Sequence, residues 1–89
     1  MDLDRPLRLH PQVALRPESF GALAYHYGTR RLSFLKSRLL VDVVERLGSA
    51  SDAGAAYRAA GVSEEQLPAY RRALETLAET GMIVPREAA

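Results

Sequence analysis

The sequence predicts an α+β domain in which a three-stranded antiparallel sheet comes first and three helices follow. Residues 10–36 alternate between apolar and polar positions, as half-buried strands do, whereas residues 37–81 repeat apolar residues at helical spacing. Glycine and proline separate these segments and mark the turns. A chain of 89 residues is long enough for one modest core, so we expect residues 1–89 to form a single domain.

The first predicted strand covers residues 10–16 and follows an extended polar arm of residues 1–9. Val13 and Leu15 share one face of this strand, and a proline stands near each of its ends. Because proline cannot donate a ladder hydrogen bond, an edge position in the sheet suits this segment.

The second and third predicted strands form a hairpin from residues 20–27 and 31–36. Gly28 begins the connecting turn, where we expect it to adopt a positive φ angle. Both faces of the third strand carry apolar side chains, so the alternation alone does not decide which face meets the core. We expect Leu32 and Phe34 to point inward.

Two helices with recognisable ends follow the hairpin. Ser37 is a candidate N-cap for the first helix, and Gly48 is its expected stop. The apolar stripe of this helix comprises Leu39, Leu40, Val43, Val44 and Leu47. Asp52 is placed to cap a short second helix over residues 53–60, which Gly61 ends.

The third helix begins with a capping-box pattern at residues 63–66 and runs to about Thr80. Its apolar stripe comprises Leu67, Tyr70, Leu74, Leu77 and Ala78. Gly81 ends the helix, and residues 82–84 form a candidate closing strand before a tail at residues 85–89.

The residue types exclude most catalytic and cofactor chemistry. The absence of cysteine excludes disulfides, thiol catalysis, Cys-ligated zinc and iron–sulfur clusters. His10 and His26 lie on different strands and fit no catalytic or metal-ligand spacing, so we expect no enzyme, no metal and no cofactor. No apolar run reaches the roughly 20 residues of a membrane helix, and the N-terminus lacks a signal-peptide pattern. We therefore expect a cytoplasmic protein with no membrane partner.

The helix order would also permit a winged-helix DNA-binding transcriptional regulator, which is the alternative function. In a helix-turn-helix the second helix of the motif enters the major groove, where basic side chains neutralise phosphate. Here Glu64 and Glu65 open the third helix, and Glu75 and Glu79 stand against two arginines. This acidic character predicts that there is no nucleic-acid partner.

The third strand offers a different surface, because an edge strand leaves a row of N–H and C=O groups unpaired. A guest peptide satisfies these groups when it adds a further strand. Arg30, Arg31 and Lys36 border the edge, where they either attract an acidic guest or protect the edge by their charge. The edge could also pair with a second copy, so a strand-paired or swapped dimer is the alternative to a monomer.

Two stretches of the chain, RPLRLHPQVALRPE at residues 5–18 and FGALAYHYGTRRLSFL at residues 20–35, resemble the peptide chaperones of mycofactocin biosynthesis. These chaperones belong to the PqqD-like group of recognition elements for ribosomally made, modified peptides. The resemblance extends from about residue 5 to Val84 and is most specific at residues 25–36.

The resemblance implies a non-catalytic peptide chaperone with a winged-helix-like fold, in which the three-stranded sheet packs on three helices. The leader of the precursor peptide would add a strand along Arg30, Arg31, Leu32, Ser33, Phe34, Leu35 and Lys36. The facing wall would come from Tyr70, Arg71, Leu74, Leu77 and Ala78 of the third helix. The second implied partner is a radical-SAM maturase, which would carry out the chemistry on the delivered peptide.

Overall fold

The structure, a computed structural model, describes residues 3–86 and confirms an α+β fold with three helices and antiparallel sheets. One sheet has three strands in the order β2–β3–β4, and the other pairs β1 with β5. The strands are β1 (Leu7–Leu9), β2 (Val13–Glu18), β3 (Gly21–His26), β4 (Leu32–Leu35) and β5 (Ile83–Pro85). The helices are α1 (Arg38–Arg46), α2 (Ala53–Ala60) and α3 (Leu67–Glu79).

The three-stranded sheet is a meander whose first strand lies further along the chain than predicted. β2 begins at Val13 and extends to Glu18, so Pro17 lies within the strand instead of ending it. Proline is tolerated there because β2 is an edge strand of the sheet. β3 and β4 match the predicted hairpin with slightly shorter strands.

The prediction that Leu32 and Phe34 face the core is wrong. Their side chains are 55% and 60% exposed, whereas Leu35 is buried. In the register of β3 and β4, Leu23 pairs with Phe34 while Ala22 pairs with Leu35. The small alanines of β3 therefore face inward, where they let α1 pack closely on the sheet, and the bulky residues face outward.

The hairpin between β3 and β4 does not use Gly28 in the way the sequence predicted. Among the described residues, the loop position with a positive φ angle is Arg30, at 61°. The His26 ring is buried and its Nδ1 atom accepts the N–H groups of Gly28 and Thr29 at 3.0 and 3.1 Å. His26 is thus a structural residue that holds the loop in shape.

The two-stranded sheet replaces part of the predicted N-terminal arm. Residues 7–9 form β1, which pairs with the closing strand β5, and the N–H of Arg86 donates to the carbonyl of Pro6 at 2.8 Å. The Arg86 guanidinium donates to the backbone carbonyls of Leu47, Gly48 and Ala50. The remaining ends of the predicted arm and tail, residues 1–2 and 87–89, lie outside the described residues.

The predicted caps of α1 and α2 are confirmed. Ser37 Oγ accepts the N–H of Leu40 at 3.0 Å, and Asp52 Oδ1 accepts the N–H of Ala55 at 2.8 Å. Gly61 ends α2 in the left-handed conformation. Gly48 does not stop α1 in this way, because it lies within a 3₁₀ turn of residues 47–49 that continues the helix.

The start of α3 combines a polar turn with proline. Gln66 Oε1 accepts the backbone N–H of Ser63 at 3.1 Å, and regular helix begins at Leu67 with Pro68 in its first turn. Gly81 follows the helix with a φ angle of 77°, as expected for a helix end.

One core joins the two sheets to the helices. The largest fully buried side chains come from β1, β4, β5, α1, α3 and the adjoining turns: Leu7, Leu35, Val43, Val44, Leu47, Leu74, Met82 and Ile83. Leu39 and Leu40, which the helical pattern assigned to the stripe of α1, are only half-buried.

Gly21 supplies a test of the close packing where β4 meets α1. A Cβ atom at Gly21 would collide with the backbone carbonyl of Leu35, and its φ angle of 150° is strained for any other residue. We expect Gly21→Ala to lower the free energy of unfolding by about 2 kcal/mol or more. Urea denaturation monitored by circular dichroism measures this change.

The matched control is Gly48→Ala, because a Cβ atom at Gly48 meets no atom within 4 Å. This variant should stay within about 0.5 kcal/mol of the wild type or gain slightly in stability. Equal losses in the two variants would contradict a packing constraint specific to Gly21.

Candidate functional site

A groove runs between β4 and α3, built from two adjoining depressions. The first holds about 340 Å³ and is lined by Ser33, Phe34, Leu35, Lys36, Leu40, Ala73, Thr76 and Leu77. The second holds about 240 Å³ and is lined by Lys36, Ser37, Leu40, Ala69, Tyr70 and Ala73. Because the two share Lys36, Leu40 and Ala73, they form one continuous channel beside the strand.

β4 is an edge strand of the three-stranded sheet, and its free side borders this groove. The His26 N–H donates to the Arg31 carbonyl at 2.9 Å, and antiparallel pairs alternate between bonded and non-bonded partners. This alternation directs the backbone groups of Ser33 toward β3 and those of Leu32 and Phe34 toward the open edge. The edge therefore presents backbone donors and acceptors at every second residue.

The floor and far wall of the groove are made mainly of small or apolar side chains. Leu40 reaches into it from α1, and Ala69 and Ala73 line it from α3 without filling it. The Tyr70 hydroxyl lies 3.0 Å from Ser37 Oγ, the atom that caps α1. This hydrogen bond holds α3 at a fixed distance from the end of β4, so the groove has a defined width.

The residues predicted for the peptide site fall into three groups. Six of them line the groove: Ser33, Phe34, Leu35, Lys36, Tyr70 and Leu77. Leu32 lies on the exposed outer face of the sheet, and Arg30 and Arg31 lie exposed in the loop before β4. Leu74 is fully buried in the core, while Arg71 and Ala78 lie on a different face of α3.

Five groove residues were missed by the sequence reasoning, namely Ser37, Leu40, Ala69, Ala73 and Thr76. Ala69, Ala73 and Thr76 recur at positions i, i+4 and i+7 of α3, which places them on one helix face. A face of small residues beside Tyr70 was the available signal, but alanine and threonine do not stand out in a search for apolar stripes.

A second cavity of about 380 Å³ lies against α2 and another face of α3. Tyr57 lines it and is almost fully buried, and its hydroxyl has no hydrogen-bond partner within residues 3–86. Burial raises the pKa of the Tyr57 phenol, with Arg71 lowering it and Glu75 raising it by smaller amounts.

Neither a metal-binding cluster nor a membrane-spanning helix occurs among the described residues. Within residues 3–86, no three or more His, Asp or Glu side chains are close enough together to hold a metal ion. None of the helices described is both long enough and apolar enough to cross a membrane.

Comparison with known proteins identifies a family. Residues 6–84 match the peptide chaperone MftB family. A relative named peptide chaperone MftB, from Mycobacterium ulcerans (strain Agy99), is 54% identical over 87 residues, which is 98% of this chain and 80% of the relative. No solved structure matches the chain.

Two further relatives carry the same name. The one from Mycobacterium tuberculosis (strain ATCC 25618 / H37Rv) is 54% identical over 97% of this chain and 79% of its own length. The one from Mycolicibacterium smegmatis (strain ATCC 700084 / mc(2)155) is 54% identical over 94% of this chain and 82% of its own length.

The chain therefore belongs to the peptide chaperone MftB family. A peptide chaperone is a non-catalytic class of protein, so the family agrees with the expectation that the chain is not an enzyme. The family match confirms the resemblance found in the sequence and gives no support to the alternative of a DNA-binding regulator.

The two tyrosine hydroxyls beside α3 should respond in opposite ways to removal. Tyr57→Phe deletes a buried hydroxyl that has no partner in the described chain, so stability should be unchanged or higher by about 1 kcal/mol. Tyr70→Phe deletes the hydrogen bond to Ser37 and should lower stability by about 1 kcal/mol. Chemical denaturation at neutral pH measures both, and equal losses would contradict this difference.

The raised pKa of Tyr57 predicts a loss of stability in alkali. Because burial keeps the phenol neutral in the folded state, its contribution to the free energy of unfolding is fully present below the unfolded pKa of about 10. This contribution is lost as pH rises through the higher pKa of the folded state. Unfolding curves between pH 8 and about pH 11 should show a steeper decline for the wild type than for Tyr57→Phe. Parallel declines would assign the alkaline loss to other groups.

Proposed function

We propose that this chain is a non-catalytic peptide chaperone that binds the leader of a ribosomally made precursor peptide and delivers it to a radical-SAM maturase in mycofactocin biosynthesis. The observation that carries the proposal is the open edge of β4 beside the groove that α3 completes. The leader binds by adding a strand to this edge. The family and the names of its relatives support the peptide-binding part of the role.

Strand addition uses the backbone first and the side chains second. The N–H and C=O groups of Leu32 and Phe34 pair with the guest backbone, as at any exposed sheet edge. Side chains alternate along the guest, so every second one enters the groove, where Leu40 and Ala73 leave room for an apolar residue. The binding energy of these apolar contacts offsets the entropy that a flexible leader loses when it becomes ordered.

The charge of the edge favours an acidic leader. Arg30 and Arg31 are exposed in the loop before β4, and Lys36 is exposed at its far end, where it lines both parts of the groove. Opposite charges on the leader increase the rate of association and help to set its register along the strand.

A protein that binds the precursor peptide but carries out no reaction on it can act by delivering the peptide to an enzyme. A leader held by the chaperone keeps the rest of the precursor near the maturase, which raises its effective concentration there. The chain contains no cysteine to hold an iron–sulfur cluster, so the radical chemistry is assigned to the partner enzyme. Both proteins act in the cytoplasm in this proposal, with the chaperone as a monomer.

Filling the groove tests the position of the leader. Ala73 lines both parts of the groove, so Ala73→Gln should weaken binding of a synthetic leader peptide at least tenfold, measured by isothermal titration calorimetry. Ala59→Gln is the matched control, because Ala59 is exposed on α2 and lines none of these cavities. Equal affinities for both variants would contradict the groove, and a wild-type chain that binds no leader would contradict the function.

A proline at the strand edge tests the backbone pairing. Leu32 is the first residue of β4, where proline is tolerated, and its N–H points to the open side. Leu32→Pro should bind the leader several-fold more weakly than Leu32→Ala, which loses the same side chain but keeps the N–H donor. If the two variants bind equally, the guest does not pair with this position.

A further inference from the structure

The large apolar side chains that remain exposed in the described structure gather on one side of the sheet. Phe20, Tyr27, Leu32 and Phe34 are 41%, 56%, 55% and 60% exposed. Two half-buried residues of β3 share their side of the sheet. We call this surface the outer aromatic face, and it comprises Phe20, Leu23, Tyr25, Tyr27, Leu32 and Phe34.

The outer aromatic face is continuous. The register sets Leu23 beside Phe34 and Tyr25 beside Leu32 across neighbouring strands. The rings of Phe20 and Phe34 have centroids 6.0 Å apart, and those of Tyr25 and Tyr27 are 5.4 Å apart. Apolar residues scattered singly on a surface need no explanation, but a contiguous patch of this kind marks an interaction site.

This face includes a depression that can receive a side chain. Phe20, Phe34 and Lys36 border a shallow, open depression of about 430 Å³ at one end of the face. A shallow depression between two aromatic rings suits an aromatic or aliphatic side chain from another protein.

The outer aromatic face meets the peptide groove at Phe34, and its residues on β3 lie apart from the groove. The inner side of the sheet, with Ala22, Ala24 and Leu35, is covered by the helices, and the groove opens between β4 and α3. A peptide added to the edge of β4 leaves the outer sides of β2 and β3 uncovered. A partner other than the leader must therefore cover the outer sides of these two strands.

Charge decides which occupant fits. Residues 13–36 contain four basic residues, Arg16, Arg30, Arg31 and Lys36, and a single acidic one, Glu18. Glu18 is already paired with Arg16 at 2.7 Å. A symmetric dimer through this face would set basic surface against basic surface, because a two-fold axis joins the same patch of both copies. A partner with acidic residues around an apolar centre is complementary.

We infer that the outer aromatic face is the docking surface for a folded protein partner, apolar at its centre and acidic at its rim. Resting on the proposed function, this partner is the enzyme that modifies the peptide. The leader lies as a strand beside β4, and every second leader side chain extends the same face. The enzyme thus contacts the chaperone and its peptide together and binds the loaded chaperone more tightly than the empty one.

The test uses variants placed away from the groove. The double variant Leu23→Thr/Tyr25→Thr removes apolar surface from β3 while keeping residues that favour strands. Its affinity for the purified radical-SAM maturase should fall at least tenfold, and its affinity for a synthetic leader should stay within about twofold of the wild type. Biolayer interferometry measures the first and calorimetry the second, with folding checked by circular dichroism.

A charge reversal supplies the second arm. Arg16→Glu lies on β2, at the opposite edge of the sheet from β4, and should weaken enzyme binding several-fold, with a loss that shrinks as salt is raised. Arg72→Glu makes the same charge change on an exposed position of α3 and should leave enzyme binding unchanged.

The outcomes separate the surface from the function. The docking surface would be overturned if the double variant bound the enzyme as tightly as the wild-type chaperone does, or if it lost affinity for the leader to the same extent. It would also be overturned if the wild-type chaperone formed a dimer that the double substitution dissociates. A fall in the affinity of the double variant for the enzyme supports the docking surface, even if the wild type binds no leader. Failure of the wild type to bind the leader would refute the proposed function but not the docking surface.

Discussion

The close packing of α1 on the inner face of β3 is the constraint on which the rest of the structure depends. Ala22 and Ala24 are small enough for the helix to lie against the sheet, and Gly21 leaves room for the backbone where β4 turns into α1. This packing forces the bulky residues of β3 and β4 to the other side. It also brings Ser37 within hydrogen-bonding distance of Tyr70, which sets the distance between β4 and α3 and hence the groove.

Features set by local chemistry could be predicted from the sequence, whereas those set by volume or by distant pairing could not. Ser37, Asp52 and Gly61 act within one turn of their own helices, and the structure confirms each of them. The inward face of β4 depended on the size of residues in a neighbouring strand, which the alternation within β4 does not reveal, so the expected side was wrong. The pairing of residues 7–9 with β5 joins segments far apart in the chain, and no short-range pattern signals it.

The candidate site divides in the same way. Its two elements, β4 and α3, were predicted, and half of the proposed residues line the groove. Leu74 was misplaced because an apolar helical stripe cannot distinguish a residue that faces a groove from one that faces the core. Ala73 was missed because what matters there is the space that a small side chain leaves, which a search for large apolar residues does not detect.

The pairing of β1 with β5 brings the two ends of the described chain together at one place. The Arg86 N–H bonds to Pro6, and the Arg86 side chain binds the carbonyls after α1, so both ends are tied to the same part of the core. A protein fused before β1 or after β5 would start from nearly the same point. The position of the fused protein relative to this domain would then depend on the length of the linker, and hardly on whether the fusion was made before β1 or after β5.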